Sequence, residues 1–536
     1  MFDTKYKINL SEFSGKDDLE LFANATAYLK EHPNTTLIVP PRTYVLTSEL
    51  AREQQQKVMN GEFGSNPQRI MFNPNYVYTR GVHLDGLKNC RLEAYGSLFL
   101  VDGFMEPVSI TNCENVEVCG FAIDHKRKPY SRAVVTELKE ITDGEYNTCI
   151  LEFDSECPIT PNTPIYLRNH FYDRHEHKRI EAYVEESEYI DEHHIRAWVT
   201  KTNELKNGTE YYVVHTYHSR PAVLIEYSKD TYLTDVTIHS QPGMGVVGNR
   251  SENIIATRLN VTPSQGHHMS TNTDGTHFTS IKGLLRMQNC NFYAQGDDFV
   301  NVHGYFHSVV KRDAPNICYL QEKTPDGTHA QSLDYPDVGD LMELTSHKTL
   351  EILDTYKVIA VETMPEEWMC KVTFDHDLPE DTTGLMLADI TRLPEVEVIG
   401  CSAAEHFARS VLIKTRKALI ENNIFRDIRG TAIAVAAESY WYEGVCPSNV
   451  TIRNNVIIDT SHSSDKTAGI YIKADCNSPK GQSIHNIVVE NNVVYAPDCK
   501  NAIYARNVEG LIVKNNICTT LKEPIQIEDS TNIKIS

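Results

Sequence analysis

The chain has 536 residues, which is more than one compact core usually serves, so several domains or an elongated repeat fold is expected. Its formal net charge of -22 at pH 7 argues against nucleic-acid and anionic-membrane partners, because both require clustered Lys and Arg. The thirteen cysteines are scattered and never form a CxxC pair, which favours reduced, buried thiols over a disulfide framework or a zinc ribbon.

The start of the chain predicts a helix that caps a solenoid. In KDDLELFANATAYLKEHP, the side chains of Leu19, Phe22, Thr26 and Leu29 fall on one helical stripe, and Pro33 ends the pattern. The next segment, TTLIVPPRTYVL, predicts the first strand. A cap is needed because an open first coil exposes apolar core and unpaired strand edges.

No targeting or membrane segment is visible in the sequence. There is no run of 18 apolar residues, and the first twenty residues lack the basic and apolar regions of a signal peptide. The chain as written is therefore expected in the cytoplasm, or in the periplasm or outside the cell if a leader has been removed.

The last 140 residues carry a repeated signature in which a short β-branched run leads into two asparagines. The spacing of these pairs is irregular, at 32, 37 and 24 residues. This pattern predicts an all-β fold, a right-handed parallel β-helix in which Asn and Cys side chains form ladders at the turns. The pairs are Asn422 and Asn423, Asn454 and Asn455, Asn491 and Asn492, and Asn515 and Asn516.

Two segments interrupt the repeat with longer alternating strands, such as HHIRAWVTK and YKVIAVETM, which predict inserted antiparallel, barrel-like modules. The predicted organisation is a cap with the first coils (1–129), a first module (130–217), central coils with the active site (218–306), a second module (307–393) and C-terminal coils (394–536).

Three aspartates are the main candidates for chemistry. Asp274 lies in NTDG, and Asp297 and Asp298 lie in QGDD, 23 residues later. Since this step matches one coil, the acids are expected on adjacent rungs. Gly296 permits a turn or bulge at which Asp297 and Asp298 can both face one cleft. Clustered carboxylates repel, so one holds a proton, as acid and base catalysis at a glycosidic bond requires.

Two other interpretations of these acids remain open. NTDG and GDD are also common turn sequences, and oxygen-rich acid clusters in β-helices suit Ca²⁺. The histidines His267, His268 and His277, and the HEH at 175–177, lack the spacing of a metal site, so no metal or other cofactor is predicted.

Several polar and aromatic residues are candidates for binding a sugar. Trp441, in the YWY cluster, is a candidate wall for a sugar ring, with core or loop packing as the alternative. Trp198 and Trp368, in alternating strands, are expected to be packing residues. The full set of predicted substrate contacts is Asn272, His277, Gln295, Asn301, His303, Glu438 and Trp441.

The runs NTDGTHF, QGDDFVNVHG and ESYWYEGVCPSNVTIRNN resemble glycoside hydrolase family 110, the inverting α-1,3-galactosidases that remove terminal galactose from blood-group-B-type and linear glycans. The resemblance implies a β-helix with two β-barrel modules and a metal-independent hydrolase. It also implies that Asp297 is the general acid and that Asp274 and Asp298 hold and activate the water. The implied partner is a galactose-terminated oligosaccharide or glycoconjugate, with no nucleic acid and no membrane.

The main alternative is another polysaccharide-active β-helix enzyme. Polygalacturonases of family 28 also combine NTDG, an aspartate pair and a later HG, followed by RIK. Here His303 comes only five residues after Asp298, and IKTRK, with Lys414 and Arg416, fits the RIK spacing poorly. A calcium-dependent lyase and a non-catalytic glycan-binding β-helix are further alternatives. Nothing in the sequence selects an oligomeric state.

Overall fold

The computed structural model describes residues 4–64, 66–73, 75–141, 144–165, 168–176, 178–321, 334–461, 468–481 and 483–536. Within these ranges strands dominate and helices are few. The α-helices are Asp18–Glu31, Glu49–Met59 and Gln68–Met71, and the 3-10 helices are Leu10–Glu12, Pro365–Glu367 and Ser439–Trp441. No helix in the described ranges has both the length and the apolar character needed to cross a membrane.

The predicted cap is the helix Asp18–Glu31. The Asp17 carboxylate accepts the Glu20 backbone N–H and so satisfies a free donor of the first turn. Phe22 and Leu29 are buried against the first coils, as the stripe predicts. A second helix, Glu49–Met59, begins after the Ser48 cap and is not predicted by the sequence pattern, because its AREQQQK stretch is mostly polar.

The β-helix has two long parallel sheets. Among the described residues, the first of these sheets has 22 strands. Its strands are Tyr6–Asn9, Thr35–Ile38, Thr43–Thr47, Lys88–Asp102, Glu114–His125, Lys229–Thr234, Thr237–Ile238, Glu252–Thr257, Asn260–Val261, Lys282–Gln288, Asn291–Tyr293, Glu395–Ile399, Ser402–Ala404, Ala418–Glu421, Ile424–Ile428, Ser448–Arg453, Val456–Thr460, Ile484–Glu490, Val493–Ala496, Val508–Lys514, Ile517–Thr520 and Thr531–Ile535.

The second parallel sheet carries the candidate site and is called the site sheet. One continuous apolar core lies between it and the first sheet, from Leu10 to Val513. Its strands are Arg80–Asp85, Glu106–Thr111, Val223–Glu226, Val246–Asn249, Thr276–Thr279, the first part of Val300–Ala314, Val411–Ile413, Ile433–Glu438, Ala468–Asp475, Asn501–Arg506 and Ile525–Glu528, with short Glu443–Gly444 antiparallel to it.

A ladder of asparagines holds the C-terminal coils in register. The Asn423, Asn455 and Asn492 amides each donate to the side-chain oxygen one coil further on, ending at Asn516, at 2.9 Å. The preceding asparagine of every pair has positive φ, between 54° and 58°, which Asn tolerates better than most residues. The paired asparagines therefore have separate tasks, since the first makes the turn and the second forms the ladder.

The ladder continues upstream with cysteine in place of asparagine. The Cys401 N–H donates to Asn423 Oδ1 at 2.8 Å, and the Cys290 N–H donates to Cys401 Sγ at 3.4 Å. Cys290 and Cys401 are 111 positions apart in the chain but lie on neighbouring coils. The described cysteines are all free, as the sequence predicts.

Two antiparallel modules extend from the β-helix. The first module has seven strands, Tyr130–Lys139, Tyr146–Phe153, Asn169–Asp173, Lys178–Ile180, Val184–Asp191, His194–Thr200 and Glu210–Val214. The second module closes into a barrel from the outer part of Val300–Ala314 with Ile317–Gln321, Met369–Phe374, Ile352–Met364, Leu341–Ser346 and Leu385–Asp389. The predicted fold class is thus confirmed, whereas the five segment boundaries stay predictions.

Candidate active site

The three aspartates lie at one edge of the site sheet, just before two adjacent strands. Thr276 pairs with Val300, 24 positions further along the chain, and the Gly275 N–H donates to the Asp298 carbonyl at 2.8 Å. The register therefore aligns Asp274 with Asp298, and Asp297 is offset by one residue. The predicted cluster forms, but the 23-residue step to Asp297 is not the register of the coil.

Gly296 is required by a close approach of two backbones. A Cβ atom at this position would lie 2.0 Å from the Asn272 carbonyl oxygen, closer than any side chain tolerates. The sequence predicts a glycine that permits a turn. The structure shows that this glycine also allows the two acid-bearing loops to lie against each other.

Asp297 is the most accessible of the three acids. Its side chain is 20% exposed, against 6% for Asp274 and 2% for Asp298. Arg168, from the first module, donates to its carboxylate and to the Gly296 carbonyl. Burial acts to raise the pKa of Asp297, but the Arg168 guanidinium outweighs it and lowers that pKa. In the free protein Asp297 is thus an ion-paired carboxylate, which differs from the proton-holding role that the family resemblance implies.

Asp298 is held by one residue from the next coil. Arg409 donates to it three times, from the backbone N–H at 2.9 Å, from Nε at 3.2 Å and from Nη2 at 3.1 Å. Burial nevertheless raises the pKa of Asp298 to about 7, assisted by the neighbouring carboxylates and opposed by Arg409. This carboxyl is fixed in orientation and titrates near neutral pH.

Asp274 lies at the end of a chain of two histidines. His303 Nδ1 is 2.9 Å from the Gly304 carbonyl, which only accepts, so Nδ1 carries a proton. Burial lowers the pKa of His303 to about 3, so its Nε2 is an acceptor and receives the His277 Nε2–H at 2.8 Å. His277 Nδ1 lies 2.6 Å from Asp274.

This chain of hydrogen bonds leaves one proton for Asp274 and His277 to share. The contact between His277 Nδ1 and the Asp274 oxygen needs a proton on one of the two atoms. With the proton on the carboxyl both groups are neutral, which agrees with burial raising the pKa of Asp274 well above its usual value. With the proton on His277, Asp274 is a carboxylate that can accept a proton from water.

A buried lysine organises the far wall of the site. Lys414 is fully buried, with Nζ 2.6 Å from Glu443 and 3.0 Å from Glu438. Glu443 also accepts from the Asn301 amide at 3.4 Å, and Glu438 receives Arg409 Nη1 at 2.6 Å. The predicted contacts His277, Asn301, His303 and Glu438 are thus brought together around the acids.

Two further predicted contacts, Asn272 and Gln295, are completely buried, and their roles in binding stay predictions. The Asn272 amide donates to the Pro129 and Thr216 carbonyls, at 3.2 and 3.0 Å, and so ties together the two ends of the first module. Gln295 is also 0% exposed. Both residues flank the acids in sequence, and that position does not reveal their burial.

The predicted aromatic residues divide as expected between surface and interior. Trp441 ends the 3-10 helix Ser439–Trp441 and is 41% exposed, so it is not a core residue. Trp368 is buried against Met71 and Phe72. Trp198 is half-buried on a strand of the first module.

Arg168 and Arg409, which contact the acids most directly, are not among the sequence candidates. Arg168 is 129 positions from Asp297 and Arg409 is 111 positions from Asp298, so no local motif connects them. Among the described residues, no group of three or more His, Cys, Asp or Glu is arranged to hold a metal ion. Of the HEH run, His177 lies outside the described residues.

The site lies on one outer edge of a β-helix, where the carboxylates cluster. Over most of its length, the chain is similar in sequence to known proteins. Alpha-1,3-galactosidase B of Bacteroides thetaiotaomicron is 24% identical over 95% of this chain and 85% of its own length. Alpha-1,3-galactosidase A of Bacteroides fragilis is 26% identical over 83% of this chain and 76% of its own. These similarities confirm the resemblance to the α-1,3-galactosidases indicated by the acid motifs.

A family model described as disaggregatase related matches residues 396–520, in the C-terminal coils. Among solved structures, a family 28 exopolygalacturonase of Yersinia enterocolitica is 10% identical, with a TM-score of 0.42 over 99% of this chain and 77% of the other. An exopolygalacturonase of Thermotoga maritima is 11% identical, with a TM-score of 0.39 over 100% and 92%.

Proposed function

We propose that this protein is a glycosidase that removes terminal, non-reducing α-1,3-linked galactose from glycans with inversion of configuration. The observation that carries this proposal is the cluster of Asp274, Asp297 and Asp298, held by two arginines and a histidine pair, in a chain similar to α-1,3-galactosidases over most of its length. Blood-group-B-type and linear Galα1-3Gal glycans are the proposed substrates.

In the proposed mechanism Asp297 donates a proton to the leaving oxygen, because it is the acid most exposed to the cleft. Asp297 is ionised while it is paired with the Arg168 guanidinium, so this pair has to open and Asp297 has to take up a proton from solvent before it can act as the acid. Asp298, held by Arg409, and Asp274, with its proton passed to His277, position and deprotonate the attacking water.

A polygalacturonase is disfavoured by the state of the two basic residues that would bind a uronate. Lys414 is buried between Glu438 and Glu443, and the Arg416 guanidinium donates twice to Glu343, at 2.7 Å. Neither cation is therefore available to a carboxylated sugar. The polar groups around the acids suit neutral hydroxyls instead.

The proposal is tested by following hydrolysis of Galα1-3Gal, the fucosylated B antigen and polygalacturonate by NMR, each with and without EDTA. We expect β-galactose as the first product from one or both α-galactosides, at a rate that EDTA leaves unchanged. First appearance of α-galactose would contradict inversion. Release of uronate, or of an unsaturated product only without EDTA, would support the polygalacturonase or the lyase instead.

The pH dependence of Arg168→Gln tests the role of Asp297. Removing the guanidinium raises the pKa of Asp297, and a general acid works below its pKa. The pKa of Asp297 lies below that of Asp298, so Asp297 sets the acidic limb of the kcat/KM profile, and that limb is expected to move up by about one pH unit. Arg196→Gln, which removes an exposed arginine paired with Glu188 on the same module, should leave the profile unchanged. If Asp297 is the acid, the plateau between the limbs also rises, because more of the enzyme then holds a proton on Asp297. A plateau that stays level while the acidic limb moves would make Asp297 the base.

A further inference from the structure

The outer face of the site sheet continues past the acids in both directions, as one column of paired residues. Strand pairing places these residues one rung apart, and the alternate positions point into the core. On the side before Asn301 the column is Ser109, Leu224, Val247 and His277, and on the side after it the column is Leu412, Ala434, Tyr471, Tyr504 and Gln526.

The column is closed on the N-terminal side of the acids. Leu224 and Val247 are 2% and 0% exposed and pack with Met244 outside the main core. On the same side, the buried Arg220 donates to the Met71 carbonyl at 3.3 Å and lies 4.1 Å from the Tyr78 ring centroid. The four residues of the column on this side, Ser109, Leu224, Val247 and His277, are all buried, so this part of the face offers no surface to a sugar chain.

The column is open on the C-terminal side, beyond the buried Leu412 and Ala434. Tyr471 and Tyr504 are half-buried and stack on each other, with centroids 5.5 Å apart and ring planes at 17°. In the neighbouring outward column, the side chains of Lys473 and Arg506 are 21% and 36% exposed. This part of the face combines aromatic rings with charged donors.

The exposed aromatic residues after Glu438 flank the same strip. The Tyr440 hydroxyl donates to Asp475 at 3.1 Å, and Lys473 also reaches Asp475, at 2.9 Å. The Tyr440 and Trp441 rings, 46% and 41% exposed, lie 5.6 Å apart. These contacts connect the 3-10 helix Ser439–Trp441 to the strand that carries Tyr471.

The strip is connected to the acids through Glu438. Arg409, which holds Asp298, also donates to Glu438 at 2.6 Å, and Glu438 directly precedes Ser439–Trp441 and pairs with Asp475 on the strand of Tyr471. Three rungs separate Asn301 from Tyr471 and four separate it from Tyr504, or roughly 14 and 19 Å at about 4.8 Å a rung. An oligosaccharide of a few residues spans this distance.

We infer that the strip formed by Tyr440, Trp441, Tyr471, Lys473, Tyr504 and Arg506 binds the sugar residues on the reducing side of the terminal galactose. The inference rests on the proposed function, since it assigns the direction in which that substrate lies. In this arrangement the terminal galactose lies at the acids, and the rest of the glycan extends toward the C-terminal side of the site sheet. Aromatic rings stack on the apolar faces of sugars, and the charged groups bond to their hydroxyls.

The test compares kcat/KM for Galα1-3Gal with kcat/KM for a glycan that has the same terminal linkage and at least three further sugars. We expect the wild-type protein to prefer the longer glycan by about tenfold, as one or two stacking contacts allow. Tyr504→Ala should abolish that preference. Tyr495→Ala is the matched control, because Tyr495 is 49% exposed on the other parallel sheet, and it should keep the preference.

Calorimetry of the longer glycan with Asp297→Asn, with and without Tyr504→Ala, separates this inference from the proposed function. If the wild-type protein hydrolyses neither glycan but binding still depends on Tyr504, the strip is supported as a glycan-binding surface and the proposed activity is contradicted. The inference is overturned if the wild-type protein does not prefer the longer glycan, or if Tyr504→Ala keeps that preference. It is also overturned if Tyr504→Ala changes only the oligomeric state, because the strip would then be a contact between copies of the chain.

Discussion

Asp297→Asn is expected to reduce turnover of Galα1-3Gal by about 10³-fold, because the leaving sugar oxygen then departs without a proton. The loss on p-nitrophenyl α-galactoside should be at least about tenfold smaller, since a nitrophenolate leaves readily without protonation. Turnover is measured on both substrates, and circular dichroism and Tm establish that the variant is folded. Only a general acid gives this dependence on the leaving group.

Asp274→Asn and Asp298→Asn are the matched variants for this experiment. Both are expected to lose activity to the same extent on the two substrates, because activation of water is needed whatever group leaves. If Asp298→Asn instead shows the dependence on the leaving group, the acid is Asp298. Its pKa of about 7 suits it to that role, and Asp297 would then act as the base.

Lys414→Met is expected to lower the free energy of unfolding by about 3–5 kcal/mol, the usual cost of leaving buried charge without its partner. Lys414 is the cation between Glu438 and Glu443, and its pairing holds the pKa of Glu443 well below the usual value against the effect of burial. Without the lysine the two carboxylates face each other in a buried site. Urea denaturation at neutral pH measures the loss.

Lys417→Met provides the control for this variant. Lys417 is three positions away and paired with Glu395, but its side chain is 66% exposed, so its loss should leave stability nearly unchanged. The double variant Lys414→Met with Glu443→Gln should recover part of the stability, because one uncompensated charge is removed. A Lys414→Met variant as stable as Lys417→Met would show that this ion pair contributes nothing to the fold.

The fold is predictable from the sequence where the chain repeats a local pattern. In each asparagine pair the first residue marks the turn and the second marks the ladder position, so the ladder through Asn455 and Asn492 can be predicted from the sequence. The cap helix is predictable for the same reason, from a stripe and its flanking residues. The helix Glu49–Met59 is not, because its stabilisation comes from the Ser48 cap and from Ala51 and Val58, few apolar residues among polar ones.

The site is predictable only in part, because its partners come from distant coils and from a module. The three aspartates cluster, as their spacing of about one coil predicts. Arg168 and Arg409 lack any local signal, although Arg168 lowers the pKa of Asp297 and Arg409 opposes the rise that burial causes in the pKa of Asp298. The contacts of Asn272 with the two ends of the first module are not predictable either, because being two residues from Asp274 does not determine which way a side chain points in a turn.

The hydrogen bond from Cys290 to Cys401 spans the point at which the chain leaves the solenoid to build the second module. Strand Lys282–Gln288 likewise pairs directly with Glu395–Ile399, as if the module were absent. Growth or shrinkage of that module would therefore leave the acids in place relative to the following coil. Sequence changes in the second module can therefore accumulate without moving the three aspartates, whereas changes in the first module reach them through Arg168.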